Sequence, residues 1–195
     1  MAGNPNGRHF EMPEDKGFLR SLLEWIPFIA GAIVLALLIR FFVFSPYVVP
    51  TGSMLETIQL NDIILSEKIS YYTRKPKQGD VVTFDSVEDP SVTLVKRVIA
   101  TGGQTVDLQD GHVVVDGTVI DEPYTLGKQS FAFDQTLSTI SPITFPYTVP
   151  DGYIWVMGDN RPNSKDSRYF GPVPLSSVSG RAFVVIWPLT DFKTL

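Results

Sequence analysis

Val92-Thr93-Leu94-Val95-Lys96-Arg97-Val98-Ile99 reads as a β-strand with a lysine in its middle. Successive side chains of an extended chain point to opposite faces, so Val92, Leu94, Lys96 and Val98 share one face. An ammonium on an apolar face is costly to bury, and the usual relief is a lowered pKa that leaves a neutral amine. Such an amine can act as a general base. The plainer alternative is an edge strand whose lysine reaches out to water, a common protection of a sheet edge. A buried base needs a nucleophile to serve. The candidate is Ser53 in Pro50-Thr51-Gly52-Ser53-Met54, a turn-like segment just after a long apolar stretch. A serine beside glycine in a loop is most often only a turn residue, so Ser53 gains its weight from position.

Outward from this strand, helical periodicity is scarce and short β-branched runs recur between glycine, proline and aspartate. Strands are expected at Asp62 to Glu67, Asp80 to Phe84, Thr93 to Ala100, Thr105 to Gln109, His112 to Val115, Tyr153 to Met157 and Arg181 to Trp187. Asp110-Gly111 and Asp116-Gly117 carry the hairpin-turn signal. The fold class is therefore mostly β, an antiparallel sheet core. Residues 107–148, richer in Thr, Ser, Phe and Pro, are expected to form a small β subdomain inserted between the halves of that core.

The apolar stretch runs from Leu22 to Phe44, uninterrupted from Trp25 to Ile39, which fits a spanning helix of about 20 residues. Pro27 is expected near the helix start, where proline is best tolerated. Arg8, Lys16 and Arg20 precede the stretch, whereas only Arg40 follows it closely before Lys68. The positive-inside rule then puts residues 1–21 in the cytoplasm, 22–44 in the membrane and 45–195 outside the cytoplasm. A cleavable signal peptide is disfavoured because no small-x-small site follows the apolar core; Phe41 to Pro50 is bulky and proline-flanked.

The 195 residues allow one span and one further unit. A net charge of −5 with 19% charged residues argues against a nucleic-acid partner. The chain has no cysteine, which excludes a thiol nucleophile and a disulfide framework. Its two histidines, His9 and His112, suit neither a triad nor a zinc site. Penicillin-binding chemistry wants a lysine three residues after the serine, where Glu56 stands.

Four segments, in order, resemble the boxes of the bacterial type I signal peptidases with a single membrane anchor. Pro50-Thr51-Gly52-Ser53-Met54 resembles the nucleophile box, Gly79-Asp80-Val81-Val82 the following strand and Lys96-Arg97-Val98-Ile99 the general-base box. The stretch from Gly158-Asp159-Asn160-Arg161-Pro162 through Asn163-Ser164-Lys165-Asp166-Ser167-Arg168 to Tyr169-Phe170-Gly171 resembles the last and most specific box.

The resemblance implies a membrane-anchored serine endopeptidase that removes signal peptides from secreted preproteins after small residues, commonly Ala-x-Ala. It implies Ser53 as nucleophile and Lys96 as base. The Ser53 N–H and the Thr51 hydroxyl would form the oxyanion hole. Ser164 would hydrogen-bond and orient the lysine amine, and Asp166 with Arg168 would form a supporting ion pair. The expected partners are signal peptides and the lipid bilayer, the expected state a monomer, with no metal or organic cofactor.

Burial has to remove several units from an ordinary lysine pKa of about 10.4 before the amine is a useful base near pH 7. Activity is therefore expected to rise with pH, with a midpoint well below that value. The plainer readings make Asp166 and Arg168 a surface pair, Asp159-Asn160 a turn and Met54 a packing residue.

Several positions depart from the family pattern. Glu56-Thr57-Ile58 stands for a Pro-Thr-Leu-like step, Asn61-Asp62 for Gly-Asp, Ala100 for glycine, and Gln104 and Pro162 for aspartate. A differently shaped loop after the nucleophile is expected, with Glu56 adding a negative charge near the cleft. The rivals are a self-cleaving repressor with the same chemistry, which would carry a DNA-binding domain instead of an anchor, and a silent, membrane-tethered β protein.

Overall fold

The computed structural model describes residues 16–133 and 143–195. The chain divides into two units, Met1–Arg40 and Phe41–Leu195. The cytoplasmic-tail expectation for residues 1–21 falls mostly outside the described residues.

A helix, α1, spans Lys16–Phe42, and its Leu23–Arg40 portion, in the first unit, is long and apolar enough to cross a membrane. The helix starts earlier than the apolar stretch, since residues 16–21 contain no proline to stop it. Pro27 thus stands inside the helix rather than near its start. The end also differs: Phe44, expected in the span, is the first residue of a strand and pairs with Glu67.

The second unit contains β1 (Phe44–Val48), β2 (Ile63–Glu67), α2 (Ser70–Thr73), β3 (Val81–Asp85), β4 (Thr93–Thr101), β5 (Thr105–Gln109), β6 (His112–Val115), β7 (Thr118–Val119), β8 (Tyr147–Thr148), β9 (Tyr153–Met157), α3 (Ser167–Phe170), β10 (Val173–Pro174), β11 (Val178–Trp187) and β12 (Lys193–Thr194). The class is mostly β, as expected. An antiparallel sheet takes the order β1-β2-β11-β3-β4-β9-β10, with β12 added on β11. β11 begins three residues before the expected Arg181 and joins β2 to β3. β1 escaped the sequence reading because of Pro46, which an edge strand tolerates.

A second, four-stranded sheet, β7-β6-β5-β8, is formed by residues that lie in the chain between β4 and β9. Residues 134–142 of the expected inserted subdomain lie outside the described residues. Both predicted hairpins have left-handed aspartate and glycine at their tips, with φ of 50° and 81° at Asp110-Gly111 and 51° and 80° at Asp116-Gly117, as a type I′ turn requires. The two sheets share a core in which Ile99, Val106, Val115, Trp155 and Met157 meet.

β4 is a central strand, bonded to β3 along one edge and to β9 along the other. The β9 pairing starts at Arg97, next to Lys96, and Lys96 is buried, which removes the alternative of an edge lysine reaching out to water. Val82 lies directly across from Lys96, and Leu94 and Val98 flank it on the same face. Val82, Val98, Phe84, Ile154 and Val156 form one apolar cluster against which Leu94 packs.

Two departures from the family pattern find local reasons. Asn61 adopts φ 66°, a backbone that glycine reaches freely and asparagine tolerates. The Gln104 side-chain oxygen accepts from Thr101 N–H at 2.9 Å and from its hydroxyl at 3.1 Å, so a longer side chain still ties the turn.

Candidate active site

Ser53 sits in a three-residue 3-10 turn, Gly52–Met54. Met54 is fully buried and packs with Val49, Ile58, Ile64 and Val185, so its part is the packing one. That anchorage, together with the Ile58 N–H donating to Met54 O at 2.8 Å, fixes the turn on the sheet. Ser53, 7% exposed, then faces Lys96, 3% exposed. Lys96 Nζ donates to Ser53 Oγ at 2.7 Å and to Val95 O at 3.0 Å.

Burial lowers the Lys96 pKa to about 8, while the nearby Asp166 and Asp159 carboxylates pull it back upward. At that value roughly a tenth of the amine is neutral at pH 7, against less than about 0.1% for a solvated lysine. With the amine neutral the contact can run in reverse, the Ser53 hydroxyl donating to the nitrogen lone pair. That is the geometry of a general base.

Asp166 and Arg168 are not a surface pair. Asp166 is fully buried and Arg168 nearly so. Arg168 Nε donates to Asp166 Oδ1 and its Nη2 to Oδ2, both at 2.9 Å. Asp166 also accepts the Arg168 N–H, capping α3, and the Gly158 N–H at 3.0 Å. Arg168 reaches on to the carbonyls of Arg161, at 2.7 Å, and Phe131. The pair thus locks the loop between β9 and α3.

Ser164 corrects one expectation. Its hydroxyl is buried, but among the described residues it has no hydrogen-bond partner, and the bond to the lysine amine is not made. The amine is committed to Ser53 and Val95, while Ser164 Oγ packs beside Gly158. Thr51, just before the turn, is exposed, and its side chain makes no capping bond. It lines, with Val48, Ile64, Thr83, Leu94 and Lys96, a mainly apolar cleft of about 120 Å³.

Four side chains at the site escaped the sequence reading. Arg97 Nε and Nη2 grip the two oxygens of fully buried Asp159 at 2.9 and 2.7 Å. Arg161, also fully buried, holds Glu122 with both terminal nitrogens and Gly158 O with its Nε. The Tyr124 ring lies 4.0 Å from the Arg97 guanidinium carbon. Asn160 Nδ2 donates to Gly52 O at 2.8 Å, and its N–H to Ser53 O at 3.1 Å, so Asp159-Asn160 is more than a turn. One signal was available: Lys96-Arg97 puts two cations in one apolar run, so both faces of the strand need partners. Glu56 stands half-exposed 3.9 Å from Lys128 Nζ. Among the described residues no group of three or more His, Cys, Asp or Glu is placed to hold a metal.

A buried serine hydroxyl hydrogen-bonded to a buried amine has the geometry of a nucleophile beside a base. Residues 22–187 match the family model described as "Signal peptidase, peptidase S26", and the chain belongs to that family. It is a serine endopeptidase of the kind that removes signal peptides. Among its relatives are "Probable signal peptidase I-1" of Synechocystis sp., 38% identical over 179 residues that cover 88% of this chain and 86% of the relative. "Signal peptidase I S" of Bacillus subtilis (strain 168) is 34% identical over 175 residues, covering 89% and 94%. A solved signal peptidase I from Enterococcus faecalis V583 is 32% identical, covers 55% of this chain and 97% of that one, and superposes with a TM-score of 0.47.

Proposed function

We propose that this chain is a membrane-anchored signal peptidase that cuts after Ala-x-Ala-type sites with Ser53 as nucleophile and Lys96 as general base. The observation that carries the reading is the 2.7 Å contact between a buried Ser53 hydroxyl and a buried amine of lowered pKa. The neutral amine takes the Ser53 proton as Oγ attacks the scissile carbonyl. The resulting ammonium then protonates the departing amine. Water activated by the same amine adds to the acyl-enzyme and releases the acid. The Ser53 N–H and the Thr51 hydroxyl receive the developing oxyanion.

The sheet supports one substrate geometry. β9 pairs with β4 only from Arg97 onward, so the edge of β4 from Thr93 to Val95 on that side is open. An extended signal-peptide segment can add there as a strand. The mainly apolar cleft beside Lys96 then receives the alanine-type side chains of the substrate. Leu23–Arg40 supplies the anchor, and the basic residues before it favour a cytoplasmic N-terminus with the catalytic unit outside. The enzyme acts as a monomer on preproteins presented at the bilayer.

The test is cleavage of a preprotein carrying an Ala-x-Ala site by detergent-solubilised protein, beside Ser53→Ala and Lys96→Ala variants whose folding is checked by circular dichroism. Cleavage at that site by wild type and by neither folded variant is the expected result. A folded wild type that binds the preprotein without cutting it, or a Lys96→Ala variant that still cuts, would overturn the assignment.

A further inference from the structure

We propose that Asn160 is a positioning residue that sets the oxyanion hole by holding the Gly52–Ser53 peptide plane, an inference that rests on the Ser53 and Lys96 reading above. A peptide group is planar and trans, so its carbonyl and its N–H point in opposite directions. The Gly52 carbonyl and the Ser53 N–H belong to the same peptide. Whatever fixes one therefore aims the other.

Asn160 fixes it twice. Its Nδ2 donates to Gly52 O at 2.8 Å, and its main-chain N–H donates to Ser53 O at 3.1 Å, so one residue holds the peptide groups on both sides of the nucleophile. The other bond to Gly52 O comes from Leu55 N–H, is longer at 3.3 Å, and is local to the three-residue turn. Glycine at position 52 gives this peptide little intrinsic resistance to rotation, so a hold from outside the turn matters.

Asn160 itself stands on fixed ground. Asp159 before it is clamped by Arg97, Arg161 after it is clamped on Glu122, and its own carbonyl accepts from Asn163 N–H at 2.9 Å. Asp159 and Arg161 are fully buried, whereas Asn160 is only half-buried, with its amide committed to the turn. The buried ion pairs thus transmit their rigidity to the nucleophile through one amide.

Asn160→Ala removes the side-chain donor and keeps the main-chain one. The expected result is a kcat lower by about 10–100-fold, short of the 10²–10³-fold that loss of a whole oxyanion donor costs. KM should stay within about threefold, and the pH midpoint of kcat/KM should not move, because Lys96 keeps its surroundings. A peptide aldehyde supplies the readout that a merely structural role would not move. Ser53 Oγ bonds to the aldehyde carbon, the C=O π pair goes to oxygen, and the serine proton passes to Lys96, leaving that oxygen in the hole. Aldehyde affinity should fall by the same factor as kcat/KM, while a reduced isostere of the same peptide, which has a methylene for the carbonyl, binds unchanged.

An unchanged kcat in the folded variant, a kcat loss without loss of aldehyde affinity, or a shifted pH midpoint overturns the proposal. If Asn160→Ala does not fold, Asn160→Ser is read the same way, and failure of both makes the residue structural and sinks the idea. Absence of preprotein cleavage by wild type would overturn the parent reading instead. That outcome takes this inference with it, whereas cleavage by wild type with an unaffected variant overturns the role of Asn160 alone.

Discussion

The Lys96 amine, the proposed base, should cost the fold stability, in a way that pH exposes. A pKa lowered from 10.5 to about 8 corresponds to about 3 kcal/mol, at about 1.4 kcal/mol per pKa unit. The sign follows from proton counting. Between these two values the unfolded chain holds a proton that the folded chain has lost, so stability rises with pH across that window. Below pH 8 the penalty is present in full, and above 10.5 it has vanished. Replacing Lys96 by methionine, which fills a similar volume with no charge, removes the penalty.

The substitution also removes hydrogen bonds to Ser53 Oγ and Val95 O, worth about 1 kcal/mol each. At neutral pH the Lys96→Met variant should then be more stable than wild type by about 1–2 kcal/mol, or roughly 2–8 °C in Tm. Its advantage should shrink by about 3 kcal/mol, and change sign, as pH approaches the ordinary lysine value. Urea titrations of the full chain in detergent, followed by tryptophan fluorescence at several pH values, measure this directly, with buried Trp155 as a reporter. The same group should appear in catalysis as a kcat/KM that rises with a midpoint near 8. A stability gap that does not change with pH would refute the claim that Lys96 is desolvated by the fold.

Three further substitutions test the parts around it. Arg168→Met leaves the Asp166 carboxylate without its guanidinium; the kcat/KM midpoint should rise by about one pH unit and stability fall by about 3–5 kcal/mol, and an unmoved midpoint in a folded variant would count against the shielding argument. Gly158→Ala places a Cβ onto Ser164 Oγ and the Ser53 carbonyl. Because one of these is backbone of the nucleophile turn, kcat should drop at least about 100-fold with a stability loss of about 1–3 kcal/mol, and retention of near wild-type cleavage would show that the turn yields. Thr51→Val removes a hydroxyl that makes no capping bond, so kcat should fall about 10²–10³-fold with Tm unchanged; an unaltered kcat removes Thr51 from the oxyanion hole.

Lys96 and Ser53 were legible because each conflicts with its local pattern, a cation in an apolar strand and a serine in a turn after an apolar helix. Strands with strong alternation or paired turn signals, such as β5, β6 and β9, were legible to the residue. The two-residue strands β7, β8, β10 and β12 were not, since two residues carry no period. Nothing local in Val178–Trp187 announces that it lies between β2 and β3, yet that pairing brings the Met54 turn onto the sheet beside β4. Arg97, Asp159, Arg161 and Glu122 read as ordinary polar residues, because burial of a charge pair is decided by partners far apart in sequence. Ser164 shows the converse: the resemblance named the residue, but the bonds of the Lys96 amine are set by this chain's own packing.

Those buried pairs explain how an amine can stay deprotonatable beside two carboxylates. Asp166 and Asp159 both raise the Lys96 pKa, yet burial prevails. Each carboxylate is already gripped by a guanidinium at two oxygens, and each accepts further donors, Gly158 and Arg168 N–H at Asp166 and the Thr57 hydroxyl at Asp159. A carboxylate so paired presents its surroundings with the field of a dipole, which falls off faster than that of a bare charge. Arginine suits this task because it stays protonated across the accessible pH range and matches a carboxylate with a planar fork. Lysine suits the opposite task, since its point-like ammonium loses a proton when water is withdrawn. Exchanging the two residue types would leave a guanidinium beside Ser53 that never deprotonates and ion pairs that give way as pH rises.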